Sequence, residues 1–149
     1  MRIRSLAVFF LLAPSPALAL CTSIGVSATP VDFGVYDPAS SAAAGATGTI
    51  TVQCGIGILP VFTVSLSKGS GSFAQRTLQQ GSDTLNYNLY ADALHMTVWG
   101  DGSGGSVTQG WAGLLTLGST DYTVYGLVTS GQYPAPGSYT DSIVVTVKF

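Results

Sequence analysis

The chain has 149 residues, of which only 8% are charged, and its formal net charge is −2. So few Lys and Arg residues cannot form the basic surface that binding to nucleic-acid phosphates requires, which excludes nucleic acid as a partner. Glu is absent, whereas Gly, Thr, Ser, Val and Tyr are abundant. Because these residues are weak helix formers and Val, Thr and Tyr favour strands, the composition predicts an all-β domain.

The N-terminal residues have the pattern of a secretory signal peptide. Two arginines precede the apolar run LAVFFLL at 6–12, which is too short to span a bilayer, and ALA at 17–19 provides a small-residue cleavage site. A lipid anchor on Cys21 is the alternative, which the bulky residue before the cysteine disfavours. We therefore predict a signal peptide at 1–19 and one exported domain of 130 residues (149 less 19) at 20–149.

Two cysteines, Cys21 and Cys54, remain after that cleavage. An even pair in an oxidising exported setting predicts a disulfide, and two buried free thiols are the alternative. Closing a loop of 33 positions (54 less 21) stabilises a fold by roughly 3–4 kcal/mol in the chain-entropy account.

Short segments with alternating apolar residues recur along the exported part, separated by Gly, Pro, Asp and Ser. Their regular spacing predicts a β-sandwich with one buried and one wetter face on each sheet. The predicted strands are residues 22–28, 31–36, 48–54, 61–67, 84–91, 94–100, 121–128 and 143–149. The side chains predicted to face the core are those of Ile50, Val52, Cys54, Phe62, Val64, Leu66, Leu85, Tyr87 and Leu89, and those predicted to face outward are Asn86, Asn88 and Tyr90.

The last predicted strand has no partner strand after it in the chain. Ile143, Val145, Val147 and Phe149 share one face of this strand. A long, apolar, unpaired edge strand is an aggregation hazard that soluble proteins normally avoid. The sequence therefore predicts that a second polypeptide pairs with this strand.

Catalytic and metal-binding interpretations find little support in the sequence. The stretch GDGSGG at 100–105 resembles the segment around a serine-protease nucleophile, but a Gly separates Asp101 from Ser103 and the single histidine, His95, lies in a predicted strand. One carboxylate in that stretch is too few for calcium, and one His with two cysteines that are predicted to be bridged is too few for zinc. We predict a Gly-rich turn, no catalytic residue, no metal and no cofactor; an exported hydrolase is the least favoured alternative.

The order and spacing of several stretches resemble the spore coat protein U domain family, which includes subunits of archaic chaperone–usher pili. The resemblance covers residues 21–149. It implies an incomplete immunoglobulin-like β-sandwich that lacks its final strand and is completed by a donor strand in trans. The stretches are VDFGVYDP, ITVQC, the single R before LNYNLYAD, WGDG, VYGLV and PGSYTDSIVVTVKF.

The resemblance also implies partners and a function. A periplasmic chaperone lends a strand during export, an outer-membrane usher receives the complex, and another pilus subunit then supplies the strand, so that the chain becomes a structural or adhesive subunit of a cell-surface fibre. Cys21 and Cys54 lie where the family has its disulfide cysteines. The residues implied to line the acceptor groove and contact the chaperone are Ile143, Val145, Val147 and Phe149. A stand-alone secreted β-sandwich that binds a ligand or coats a surface is the alternative.

Two finer expectations concern the position in the fibre and its adhesion. Pilus-shaft subunits carry an extension before the first cysteine, whereas the predicted exported chain begins at Leu20, so we expect a tip or capping subunit. Apolar side chains in two predicted loops, 55–60 and 110–115, are candidates for contact with an abiotic or host surface, although both loops could equally fold back onto the core. These side chains are Ile56, Ile58, Leu59, Trp111, Leu114 and Leu115.

Overall fold

The computed structural model describes residues 6–10, 23–55, 61–111 and 118–149, and for residues 6–10, 111 and 118 it describes the backbone alone. The described residues form nine β-strands and no helix, which confirms the all-β prediction. Accordingly, this part of the chain contains no helix with the length and apolarity needed to cross a bilayer. The strands are β1 (Leu6–Phe10), β2 (Ile24–Ala28), β3 (Ala44–Cys54), β4 (Phe62–Leu66), β5 (Arg76–Gln80), β6 (Asp83–Tyr90), β7 (Gln109–Trp111), β8 (Gly118–Val128) and β9 (Ile143–Lys148).

The strands form two sheets. One sheet has the order β2-β3-β8-β6-β5, and all its neighbouring strands are antiparallel. The other has the order β1-β9-β4-β7, in which β9, β4 and β7 are antiparallel neighbours and β1 runs parallel to β9. The longest pairing joins β3 to β8 over eleven residues of each strand.

The core contains apolar side chains from both sheets, because successive residues of a strand point to opposite faces. The alternation predicted for the strands around Ile50, Phe62 and Leu85 is confirmed, since every residue assigned to the core is buried. The buried side chains include Ile50, Val52 and Cys54 of β3, Phe62, Val64 and Leu66 of β4, Leu85, Tyr87 and Leu89 of β6, and Ile143, Val145 and Val147 of β9.

The strand predicted at 31–36 is not among the strands of either sheet. Gly34 has a φ of 66°, which interrupts an extended conformation, and its N–H donates to Asp32 Oδ1 at 3.0 Å. Val31 and Phe33 are nevertheless buried. The strand predicted at 31–36 is therefore wrong, although two of its apolar residues enter the core.

The strand predicted at 94–100 is also wrong. His95 has a φ of 56°, and Asp92 accepts backbone N–H bonds from Leu94, Met96 and Thr97 at 3.0, 3.2 and 2.7 Å. A short Asp side chain that satisfies successive backbone N–H groups favours a turn over a strand. Extended pairing near this turn is limited to isolated bridges, such as that between Tyr90 and Val98.

Candidate strand-acceptor site beside the last strand

β9 carries the face that the sequence assigned to an acceptor groove. Ile143, Val145 and Val147 expose 2%, 0% and 1% of their surface, so these side chains are part of the core. Phe149 follows the end of β9, is 39% exposed, and has its ring centroid 5.8 Å from that of Phe62. The predicted face is therefore buried along β9, and its last member is half-exposed.

One edge of β9 pairs with β4, and its backbone groups show which residues face which neighbour. The N–H of Val144 donates to Ser67 Oγ at 2.9 Å, and the N–H of Ser67 donates to the carbonyl oxygen of Val144 at 2.9 Å. Because the backbone groups of successive strand residues point to opposite edges, the N–H and C=O groups of Val145 and Val147 face away from β4.

That second edge is occupied by β1, a strand of the predicted signal peptide that lies outside the predicted exported domain. The register runs in parallel from Leu6 opposite Ile143 to Phe10 opposite Val147. The sequence interpretation assigned residues 6–10 to a signal peptide and therefore gave them no place in the sandwich. The backbone of these residues pairs with the edge of β9 that would otherwise be exposed.

A buried carboxylate holds the residues that lead into β9. Asp141 is 4% exposed and accepts hydrogen bonds from the Tyr87 hydroxyl at 2.7 Å and the Ser70 hydroxyl at 2.9 Å. The backbone N–H groups of Ser70 and Ser142 donate to Asp141 Oδ1 at 3.0 and 2.8 Å. Burial raises the pKa of Tyr87, and the neighbouring Asp141 raises it further through its charge and the hydrogen bond.

A buried guanidinium holds the backbone that follows β4, next to the start of β9. Arg76 is 0% exposed; its Nη2 donates to the carbonyl oxygens of Ser67 and Trp99 at 2.9 and 2.8 Å, and its Nη1 donates to Asn88 Oδ1 at 2.6 Å. Burial lowers the pKa of Arg76, whereas Tyr87 raises it. The outward orientation predicted for Asn88 is wrong, because this amide is the acceptor that Arg76 requires.

Sequence reasoning missed both buried charges as determinants of the site. Arg76 and Asp141 position Ser67 and Ser142, the residues that flank the start of β9. A fully buried charge needs hydrogen-bond partners. Most partners of Arg76 are backbone carbonyls, and those of Asp141 are hydroxyls and backbone N–H groups, which no residue pattern reveals.

The residues considered for catalysis do not form a triad. The Ser103 hydroxyl donates to Asp101 Oδ1 at 2.6 Å within a turn, while the ring of His95 contacts Tyr90 and Tyr125 at centroid distances of 5.2 and 6.4 Å. The predicted Gly-rich turn contains glycines with positive φ at 102, 104 and 105. Among the residues that the structure describes, no three His, Cys, Asp or Glu side chains are grouped to hold a metal ion.

The predicted disulfide and contact loops are only partly covered by the structure. Cys54 is buried and bonded in a disulfide, but Cys21 lies outside the described residues, so the pairing stays a prediction. The backbone of Trp111 ends β7 opposite Phe62. The other predicted contact residues lie outside the described residues: Ile56, Ile58, Leu59, Leu114 and Leu115.

An apolar tip that the sequence did not predict lies on the turn at 91–97. Leu94 and Met96 are 79% and 78% exposed. The Asp92 carboxylate holds this turn, and although desolvation opposes the change, hydrogen bonds from Met96, Thr97 and Leu94 lower its pKa. The turn therefore presents two exposed apolar side chains on a hydrogen-bonded backbone.

Comparison with known proteins identifies the family. The family model described as the Spore Coat Protein U domain matches residues 9–146. The chain belongs to the Spore Coat Protein U domain family. This result confirms the resemblance drawn from the sequence motifs. A protein of similar sequence, "Protein U" from Myxococcus xanthus, is 33% identical over 140 residues, which cover 84% of this chain and 74% of that protein.

A solved structure shares the architecture of this Spore Coat Protein U domain. It is the crystal structure of the CsuC–CsuE chaperone–tip adhesion subunit pre-assembly complex from archaic chaperone–usher Csu pili of Acinetobacter baumannii. The match has a TM-score of 0.62 at 20% identity and covers 85% of this chain but 39% of that one. At this identity the similarity supports the immunoglobulin-like two-sheet fold, as the sequence predicted.

Proposed function

We propose that the chain is a non-enzymatic structural subunit of a surface pilus assembled by chaperone–usher donor-strand exchange. One observation carries the proposal: the strand that completes β9 comes from residues 6–10, inside the predicted signal peptide. Removal of that peptide would expose the backbone groups of Val145 and Val147 along an apolar strand, an edge that another polypeptide must then cover. Membership of the Spore Coat Protein U domain family supports this function.

The partners follow from the proposed pathway. A periplasmic chaperone would cover the β9 edge during export, an outer-membrane usher would receive the complex, and another pilus subunit would replace the chaperone at the cell surface. The similar solved structure, a complex of a chaperone with a tip adhesion subunit, supports a chaperone as the first partner.

The proposal is tested by exporting the chain with and without a periplasmic chaperone of an archaic chaperone–usher system. We expect a one-to-one complex with the chaperone and little soluble chain without it. The Val145→Asp variant should lose the complex, because Val145 is 0% exposed in the strand that must be covered. Thr146→Asp is the matched control, since Thr146 is only half-buried and lies on the opposite face of β9.

A soluble, monomeric exported chain that ignores the chaperone would contradict the proposal. That result would favour the alternative, a stand-alone secreted β-sandwich that binds a ligand or coats a surface.

The finer part of the proposal is a tip or capping position with adhesive apolar loops. The similarity to a complex containing a tip adhesion subunit supports it. Fibres assembled from this chain alone would contradict a capping position. Ile58→Ser with Trp111→Ser tests the contact loops, and adhesion that is unchanged in an assembled fibre would remove them from consideration.

A further inference from the structure

A pocket of about 340 Å³ lies between the irregular segment at 31–38 and the loop at 129–139. Leu85 of β6 lines it and is 1% exposed. The volume is within the range of pockets that hold small ligands. Most of the other lining side chains are apolar or aromatic, and they include those of Val35, Tyr36, Pro38, Pro134, Pro136 and Tyr139.

Hydrogen bonds fix the walls of this pocket in advance of any ligand. The Tyr36 hydroxyl donates to the carbonyl oxygen of Thr129 at 3.2 Å and accepts from the N–H of Gln132 at 3.0 Å. The Tyr139 hydroxyl donates to the carbonyl oxygen of Ala135 at 2.7 Å. The prolines on either side of Ala135 restrict the backbone further. Walls that are ordered in advance lower the entropic cost of binding.

Two highly exposed apolar side chains belong to the walls or adjoin them. Val35 lines the pocket and is 96% exposed, and Tyr133 is 82% exposed and directly precedes the lining residue Pro134. Apolar side chains that are exposed together beside a concave site are typical of a contact surface.

The polar groups around the pocket favour a positively charged ligand. Both tyrosine hydroxyl protons are already donated to backbone carbonyls, so the described lining side chains offer no further donor to an anion. Burial raises the pKa of Tyr139, and the charge of the nearby Asp83 raises it further. A second carboxylate, that of Asp37, belongs to the residue between Tyr36 and Pro38. Among the described residues that line the pocket, none is Lys or Arg.

We propose that this pocket binds a quaternary ammonium group, the trimethylammonium of a choline-like ligand. A primary ammonium has three N–H donors and a guanidinium has five, and each needs acceptors that apolar walls do not supply. A quaternary ammonium has no N–H group, so its methyl groups pack against apolar walls while its charge is attracted to tyrosine rings and carboxylates. No lining residue belongs to β9, so this site is independent of the proposed strand exchange.

Titration of the uncut chain (residues 1–149) with choline chloride, followed by amide NMR, tests the proposal. We expect saturable shifts at Leu85 and Tyr139. The dissociation constant should be at least about tenfold lower than that of the neutral alcohol in which a carbon atom replaces the choline nitrogen. Because the two molecules have the same shape, the difference reports the charge alone. Equal binding of both, or no saturable shift with choline, would overturn the proposal.

Two substitutions of Tyr36 test the contribution of its ring. Tyr36→Phe and Tyr36→Leu both remove the hydroxyl, but only the first keeps an aromatic ring. Choline should therefore bind Tyr36→Leu on the order of fivefold more weakly than Tyr36→Phe. Equal affinities of the two variants would show that the ring does not contact the cation and would overturn the proposed recognition.

A charge reversal tests the nearby carboxylate. Asp83→Lys should weaken choline binding by about fivefold or more, because an attraction becomes a repulsion. Asp121→Lys makes the same change near the start of β8, outside the pocket, and should leave the affinity unchanged. Equal effects of both variants would overturn the part that the carboxylate plays in the site.

Vesicles distinguish a lipid headgroup from a free ligand, since phosphatidylcholine carries the same ammonium group as choline. Co-sedimentation with phosphatidylcholine vesicles that excess choline abolishes would assign the site to the headgroup. Choline binding without such co-sedimentation would assign it to a free ligand. Phosphatidylglycerol vesicles, which lack the group, control for association through the apolar run at 6–12. Equal binding to both kinds of vesicle, unaffected by choline, would overturn the headgroup as the ligand.

Discussion

Arg76 shows how one charged residue organises several backbone segments. Its guanidinium reaches the carbonyl oxygens of Ser67 and Trp99 and the side chain of Asn88, and it lies 5.4 Å from the ring centroid of Phe73. These groups belong to separate parts of the chain that no apolar contact alone would hold in register. The Ser67 backbone in turn pairs with Val144, so the guanidinium acts on the position of β9.

Replacing Arg76 by Met should destabilise the uncut chain by about 3 kcal/mol or more, because several buried acceptors lose their donors at once. Urea unfolding followed by circular dichroism measures this change in the free energy of unfolding. Gln79→Ala alters an exposed side chain on the same strand and serves as the control. A loss below 1 kcal/mol for Arg76→Met would show that the network contributes little.

Tyr87 makes the free energy of unfolding depend on pH in the alkaline range. Burial and the neighbouring Asp141 raise the pKa of Tyr87 above its ordinary value of 10.0. Because the unfolded chain releases the phenol proton first, the stabilising contribution is complete below pH 10 and is lost as the pH rises above it. The free energy of unfolding should therefore fall as the pH rises above about 10.

The Tyr87→Phe variant should reduce that alkaline decline and should cost about 1 kcal/mol at neutral pH, because it removes the hydrogen bond to Asp141. Burial also raises the pKa of Tyr90 and Tyr122, so part of the decline remains. Urea unfolding at several pH values measures both effects. Tyr133→Phe, at a side chain that is 82% exposed, is the control, and an equal decline in Tyr87→Phe and the parent chain would contradict this account.

At the scale of elements, a glycine allows the irregular segment at 31–36 to cross the five-stranded sheet. A Cβ atom added to Gly126 of β8 would lie 2.7 Å from Phe33 Cζ and 2.7 Å from Val31 Cγ1. Both contacts are shorter than packed carbon atoms allow. The missing side chain is therefore what lets Val31 and Phe33 enter the core without belonging to a strand.

Gly126→Ala should destabilise the chain by about 1–3 kcal/mol, the usual effect of overpacking a core. Thermal unfolding of the uncut chain is the measurement. Gly45→Ala, on the neighbouring strand β3, is the control, because its added Cβ would approach nothing closer than the carbonyl oxygen of Gly126 at 3.8 Å. Equal stability of both variants would show that the segment adapts without strain.

The strands differ in how well residue pattern predicts them. β4, β6 and β9 were predicted because their apolar residues alternate, which is the direct consequence of one buried face. β5 was not, because RTLQQ contains a single apolar residue, Leu78, and owes its place to the buried Arg76. The turn at 91–97 was misread as a strand, since alternation cannot reveal that Asp92 satisfies the local backbone.

At the scale of the whole molecule, the strand that pairs with the outer edge of β9 comes from residues 6–10, which the sequence predicts to be removed as part of a signal peptide. The family and the general architecture were predicted from the order of the motifs, and the site face was predicted from Ile143, Val145 and Val147. The pairing of residues 6–10 with β9 was not, because an apolar run that fits a signal peptide fits a strand equally well.

The most direct test of the account is the solubility and fold of residues 20–149, refolded under oxidising conditions with and without a peptide spanning residues 5–12. The account predicts aggregation of the domain alone and recovery of a soluble, cooperatively unfolding species when the peptide is present, with Val145 and Val147 amides protected only in that complex. A domain that is soluble, monomeric and cooperatively folded without the peptide, with those two amides already protected, would contradict it.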